Sequence, residues 1–307
     1  MLDRYQKTIC SKVSLDGIGL HTGIKSTINI KPARENSGIV FKRIDLKENP
    51  VIPADVDHVI DTNRGTTLEQ NGVRIHTVEH VLAALHGSGI DNVTIELSGP
   101  EPPIMDGSAL PFVRELKKVG TVNQGVIQEV FKVTESIQFN DPEHDIEINL
   151  LPAERFKITF FMDYGLPNFG LQYVSIEDIE SEFEKEVAPA RTFGLLSEVS
   201  QLKQNGLIKG GGLNNAVIIV DKKVDEDEQN ILSKLFGLNK EILFNNGEIL
   251  NTEGLHFENE PVRHKVLDLI GDMSLFGKPI RGHIIATRSG HRTNIEFIRK
   301  LRRIVKS

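Results

Sequence analysis

Residues 120–125 read GTVNQG, a polar stretch with glycine at both ends and no apolar periodicity, and this is the best linker in the chain. On its N-terminal side, around Lys7 to Lys31, the pattern TICSKVSLDGIGLHTGIKSTINIKP predicts two alternating β segments broken by a Gly-rich loop. Further strands are expected at Gly38–Arg43, Val51–Asp57 and Asp91–Leu97. The spacing of Val78, Val81, Leu82 and Leu85 predicts a helix over Thr77–His86, and Leu110–Val119 reads as a second helix with basic residues in its last turns. On the C-terminal side, strands are expected near Val126–Val133, Asp145–Leu151, Phe156–Met162, Asn215–Val220 and Gly282–Ala286. Helices are expected near Ile176–Phe183, Glu198–Gln204, Pro261–Phe276 and Arg292–Ile304. Neither side shows a regular β-α-β alternation, which predicts α+β domains and not a doubly wound sheet. We therefore read two domains of similar element content, residues 1–122 and 123–307, each a mixed sheet packed with helices.

A chain of 307 residues suits two domains at about 100–200 residues each. Hydrophobic residues at 39% and charged residues at 26% point to a globular chain and away from a disordered or membrane-embedded one. The net charge of −7 argues against nonspecific nucleic-acid binding. Cys10, the single cysteine, rules out an intrachain disulfide framework and any multi-thiolate metal site. A metal, if bound, must be held by His, Asp and Glu. The N-terminal MLDRYQKTICSKVSLDG lacks a signal-peptide core, and no segment approaches the ~20 apolar residues of a spanning helix. A cytoplasmic address is the expectation.

Two phosphate-loop readings fail. In GIGLHTG the glycines at 17, 19 and 23 make GxGxxxG, and a strand follows in place of the helix N-terminus a pyrophosphate needs. Ile24 separates Gly23 from Lys25, so the loop is not a Walker A either. Tight turns account for Gly17 and Gly23, leaving His21 as a weak candidate for lining a site.

The segment Pro261–Phe276, PVRHKVLDLIGDMSLF, is the most informative one chemically. On a helix His264, Asp268 and Asp272 follow one another at i, i+4 and i+8 along one face, while Val266, Leu269, Ile270 and Met273 cover much of the other. An imidazole and a carboxylate four residues apart can reach one metal ion, although from spacing alone a solvated polar face with a helix-stabilising His/Asp pair is the better reading. Glu79-His80 borders the apolar face of the earlier helix, and adjacent Glu and His suit metal binding with water activation. No HExxH occurs, which excludes the zincins. Ser289-Gly290-His291 follows a strand through a Gly turn, where an imidazole can enter a cleft as an acid. Together His80, His264 and Asp268 offer three N/O ligands with a fourth position open, the composition of a catalytic zinc site. Ligands from both halves would put the site at the domain interface.

The motifs GIGLHTG, TVEHVLAALHGSGIDN, IMDGSA, ARTFG, VRHKVLDLIGD and TRSGH occur in this order from Gly17 to His291. The chain in this respect resembles the UDP-3-O-acyl-N-acetylglucosamine deacetylases, zinc enzymes that commit Gram-negative bacteria to lipid A synthesis. The resemblance implies two α+β domains with the active site between them and one catalytic Zn2+ per chain, held by His80, His264 and Asp268. It also implies that Glu79 is the general base and His291 the protonated partner that stabilises the oxyanion and protonates the leaving amine. Thr192 would donate its hydroxyl to the oxyanion, and Asp272 would orient His291. Lys265, Phe193 and Leu20 would contact a UDP-linked, acylated amino sugar. An apolar insert at about 195–220 would take the acyl chain; a helix burying an ordinary core stripe explains the same residues.

Three departures accompany the resemblance. DTNRGTT, Asp61–Thr67, lacks the cysteine some members carry near the metal, and Asp141–Asn168 matches poorly, so uridine and diphosphate contacts do not carry over. Some relatives are fused at the C-terminus to a hydroxyacyl dehydratase domain, whereas this sequence stops at Ser307, read as unfused or cut. Two other functions fit the same residues: a metal-dependent deacetylase of another N-acetyl sugar, and a catalytically silent sugar-nucleotide or lipid-binding protein of the same fold.

Overall fold

In a computed structural model the described residues are 4–163, 165, 170–222, 224, 226, 230, 232, 234, 249–251 and 253–306. Its N-terminal half begins with β1 (Tyr5–Ile9), β2 (Val13–Ile18), β3 (Lys25–Pro32), β4 (Ile39–Arg43) and β5 (Val51–Pro53). A small antiparallel sheet of β6 (Val59–Asp61), β7 (Thr67–Gln70) and β8 (Val73–Ile75) leads into α1 (Glu79–Gly87), β9 (Val93–Leu97), α2 (Leu110–Val119) and β10 (Thr121–Ile127). The C-terminal half runs through β11 (Phe131–Lys132), β12 (Ile137–Asp141), β13 (Ile146–Leu151), β14 (Phe156–Asp163), β15 (Leu171–Ile176) and α3 (Ile179–Glu182). After β16 (Phe193–Leu195), α4 (Leu196–Gln204), β17 (Val217–Ile219) and β18 (Ile249–Leu250) come α5 (Glu260–Ser274), β19 (Ile280–Thr287) and α6 (His291–Lys306).

The main sheets share one topology. The first has the order β2-β3-β9-β4-β5, the second β12-β13-β19-β14-β15, with β11 added beside β19. In each, the last strand enters between the second and third, antiparallel to one and parallel to the other. Each is preceded by a helix, α1 or α5, and followed by another, α2 or α6. The halves are thus structural repeats, which the sequence shows only as similar element content. Strict burial alternation along β14 and β19 gives the second sheet a covered face and a more open one.

The equivalent helices α1 and α5 pack against each other at the centre. Both are buried around most of their circumference: every residue of α1 from Glu79 to Leu85 is buried, as are Val266 to Met273 of α5. Glycine sets their closeness, because a Cβ on Gly271 would lie 2.1 Å from the carbonyl oxygen of Glu79. At the far end of α1 a Cβ on Gly87 would lie 2.1 Å from the Phe183 ring. One apolar cluster runs through both helices and both sheets, including Leu82, Leu85, Leu267 and Ile270. A separate small cluster, with Leu196, Val199, Leu213 and Ile218 among its members, lies under the insert.

The structure corrects several expectations. GTVNQG is not an irregular linker: it forms most of β10, antiparallel to β1 with Ile9 opposite Thr121 and Thr8 opposite Val122. Along β10 burial runs through three exposed residues and then four that alternate between half-buried and exposed, so no apolar period marks it as a strand. The boundary at 122/123 therefore falls inside a strand. The helix expected at Ile176–Phe183 starts later, as α3, and widens into a π-helical turn over Phe183–Val187. Strands β6, β7, β8, β12, β15, β16 and β18 lie outside the stretches expected to be strands, most being short or two-sided in exposure. Among the described residues no helix is long and apolar enough to cross a membrane.

Candidate active site

Three helix starts or faces converge here. The turn before α1 passes through Thr77 at φ +54°, a left-handed conformation, and delivers Glu79 and His80 onto the first turn of the helix. The buried face of α5 presents His264, Asp268 and Asp272 as its periodicity predicts. His291 opens α6 after Arg288, also left-handed at φ +56°.

His291 Nδ1 donates to Asp272 Oδ2 at 2.8 Å, and its Nε2 stands 3.8 Å from Glu79 Oε1 and 3.9 Å from Asp268 Oδ2. His264 Nδ1 donates to the Ala190 carbonyl at 3.0 Å, which leaves Nε2 to face Asp268 Oδ1 at 3.3 Å. The His80 and His264 rings meet edge to face with centroids 5.0 Å apart.

Burial and charge set the protonation states. Burial drives the Glu79 carboxyl up to about 7, with Asp268 and Asp272 adding to the rise and His291 opposing it. Burial alone would lower His291, but the carboxylates of Asp272, Asp268 and Glu79 together raise it to about 9. Burial pushes His80 down to about 3 and also lowers His264, outweighing Asp268 beside it. Asp268 goes the other way: burial would raise it, yet the charges of Lys265 and His264 hold it well below the usual carboxylate range.

His80, His264 and Asp268 bring one ligand atom each within 4.8 Å of one another, all three side chains buried. Among the described residues His80 Nδ1 is buried with no hydrogen-bond partner, a costly state for a ring nitrogen unless something else occupies it. Two neutral imidazoles and one ionised carboxylate are the states in which these groups ligate. The residues fit a zinc ion.

The chain matches the family described as LpxC, UDP-3-O-acyl N-acetylglycosamine deacetylase, over residues 6–236 and 220–303. The UDP-3-O-acyl-N-acetylglucosamine deacetylases of Myxococcus xanthus and Thermodesulfovibrio yellowstonii are 40% and 42% identical to it. They match over 96% and 97% of this chain and 86% and 91% of their own length. This chain belongs to the UDP-3-O-acyl-N-acetylglucosamine deacetylase family. The bifunctional LpxC/FabZ enzyme of Chlorobaculum tepidum is 46% identical over 97% of the chain, which spans only 64% of that protein. A bifunctional LpxC/FabZ enzyme from Bacteroides thetaiotaomicron is 42% identical, and the chain spans 65% of it.

Around this deacetylase-family site the other anticipated residues take varied places. Lys265 Nζ donates to Asp268 Oδ2 at 2.9 Å and lies 5.8 Å from the Phe193 ring centre. Phe193 stands edge-on to His264, centroids 6.2 Å apart. Thr192 is held by its backbone, donating to the Gly107 carbonyl and accepting from Val217, both at 2.8 Å. Gly107 of the IMDGSA motif sits at φ +88°, and a Cβ there would strike the Asn215 carbonyl at 2.1 Å. That close approach explains the glycine. The ARTFG segment is pinned to the start of α5 by a buried pair, Arg191 Nε to Glu260 Oε1 at 2.8 Å. Leu20 is buried rather than open, its carbonyl accepting from Gly210 of the insert at 3.0 Å. His21 does not join the cluster directly: its Nε2 lies 3.1 Å from the Arg64 carbonyl, and among the described residues its buried Nδ1 has no partner.

Three polar residues escaped sequence reasoning. Asn294 donates to Asp272 Oδ2 at 2.8 Å. Thr66 contacts Glu79, Asp272 and His291. Glu101 accepts from the backbone of His21 and Thr22 and from the hydroxyls of Thr22 and Thr77, anchoring the GIGLHTG loop to the entrance of α1. Thr66 lies in DTNRGTT, where no local spacing points to Glu79 or Asp272.

Proposed function

We propose that the protein is a zinc-dependent deacetylase that hydrolyses the N-acetyl group of a UDP-3-O-(3-hydroxyacyl)-N-acetylglucosamine, giving acetate and the free amine in lipid A biosynthesis. The observation that carries this reading is one buried cluster holding two neutral imidazoles and an ionised carboxylate beside a raised-pKa carboxyl and a raised-pKa imidazole. Amide hydrolysis needs that pairing, since a base must activate water while an acid protonates a poor leaving amine.

In this mechanism His80, His264 and Asp268 hold the zinc ion, which supplies Lewis-acid polarisation of the carbonyl and makes water acidic near neutral pH. Glu79 Oε1, the oxygen 3.8 Å from His291 Nε2, takes the proton of the attacking water. His291 carries its proton at Nε2 toward the same space, stabilises the oxyanion and passes that proton to the amine nitrogen. Asp272 keeps Nδ1 protonated and the ring oriented, and the Thr192 hydroxyl assists at the oxyanion. Lys265, Phe193 and Leu20 contact the substrate, and the insert around 195–220, with its own small apolar cluster, receives the acyl chain. A division into two α+β domains, with the boundary after β10 and not at 122/123, and a cytoplasmic site of action belong to the same proposal.

The test is acetate release from the acylated UDP-sugar by protein that carries stoichiometric zinc. Activity should vanish on chelation and return on adding Zn2+. Release only from unacylated N-acetyl sugars would move the substrate to another class, and tight binding without release would make the protein a silent relative.

A further inference from the structure

Thr66 is fully buried in the turn that enters β7 and touches both chemical groups of the site. Its backbone N–H donates to Glu79 Oε2 at 2.9 Å, and its carbonyl accepts from Val78 at 3.2 Å, so its peptide groups grip the entrance of α1. Its hydroxyl donates to Asp272 Oδ1 at 2.6 Å and lies 3.3 Å from His291 Nδ1. A threonine hydroxyl has one proton, and here it is committed to Asp272. The oxygen lone pairs therefore face the Nδ1–H that His291 directs mainly to Asp272 Oδ2. Thr66, Asp272 and His291 close a small ring of hydrogen bonds.

The carboxylate of Asp272 turns easily about its last bond unless both oxygens are held. Asn294 and His291 hold Oδ2, and Thr66 holds Oδ1. Without the Thr66 hydroxyl the carboxylate plane is pinned on one side only, and His291 moves with it. The neighbouring Gly65 fits the same picture, since a Cβ there would come 3.0 Å from Glu79 Oε1.

We propose that Thr66 is a positioning residue that couples base and acid: its backbone holds Glu79, and its hydroxyl holds the Asp272–His291 pair. This rests on the reading in which Glu79 and His291 are the base and the acid. Thr66→Val keeps the shape and removes the hydroxyl, and Thr66→Ser restores it. The two are measured in the zinc-loaded full chain, and Thr66→Val also in an Asp272→Asn background.

A hydrogen bond to a charged group supports an expected fall in kcat of about 10- to 100-fold for Thr66→Val, with KM within about twofold and zinc content unchanged. Thr66→Ser should stay within about threefold of the wild type, and in the Asp272→Asn background Thr66→Val should cost less than about twofold. Wild-type kcat in Thr66→Val, failure of serine to restore it, or an equal loss in both backgrounds overturns the proposal. If Thr66→Val does not fold, Thr66→Cys, a weak donor of similar size, enters the same cycle with the same outcomes. If the wild type releases no acetate, the deacetylase reading is what fails. The Thr66 proposal is then decided by the His291 Nδ1 proton resonance, which Thr66→Val should displace and which, left in place, overturns it.

Discussion

Glu79 and His80 are neighbours in the chain to which the proposed mechanism gives opposite duties, and removing each should then fail differently. Glu79→Ala is expected to retain zinc and lose about 100-fold or more in turnover, the usual worth of a positioned base. His80→Ala is expected to lose the metal as well, so metal analysis beside acetate release separates the two. Full zinc content and wild-type turnover in His80→Ala would remove His80 from the ligand set. The pH dependence follows from the shifted groups. In the proposed mechanism Glu79 works ionised and His291 protonated, so the rate should rise with pH through about 7 and fall through about 9. A bound dication beside both lowers both limbs. His291→Ala should abolish the alkaline limb; a profile that keeps it intact would count against the acid role. His264, Asp268 and Asp272 were legible because helical spacing alone puts them on one face. Thr66 was not, because nothing in its local sequence announces a partner 206 positions away.

At the scale of elements, two contacts hold the site's geometry. Gly271→Ala would drive a methyl group into the Glu79 carbonyl, which is backbone and cannot swing aside. Overpacking of this kind costs about 1–3 kcal/mol or more, and separation of α1 from α5 should depress turnover beyond the loss of folded protein. Denaturant unfolding together with kcat per folded molecule checks this, and a variant with unchanged stability would show that the helices have room to part. The Arg191–Glu260 pair is 4% and 0% exposed on its two side chains, and it ties the ARTFG segment to α5. Removing one partner strands a buried charge, and Arg191→Ala should cost about 3–5 kcal/mol. Its midpoint in a thermal or urea titration is the measurement. The helices were predictable because their apolar stripes are periodic; β10 was not, because a strand with no fully buried residue on either face leaves no stripe to read.

For the whole molecule, the single apolar cluster through both sheets implies that the halves stabilise each other. We expect full-length protein to unfold in one cooperative calorimetric transition and residues 1–122 alone to lack it, since α1 would lose the face that α5 covers. Two resolved transitions would mean that the halves are thermodynamically independent. By itself the sequence determined the fold class, the order of motifs and the shared helix face of His264, Asp268 and Asp272, because these depend on residue type and on spacing within one element. One cysteine among 307 residues had already confined any metal to His, Asp and Glu. Only the tertiary structure decided that the halves repeat one strand order, that α1 and α5 meet through a glycine, and that Thr66 and Asn294 serve Asp272. Those facts come from contacts between residues far apart in the chain, where the encounter is set by how two sheets and two helices pack and not by any local pattern.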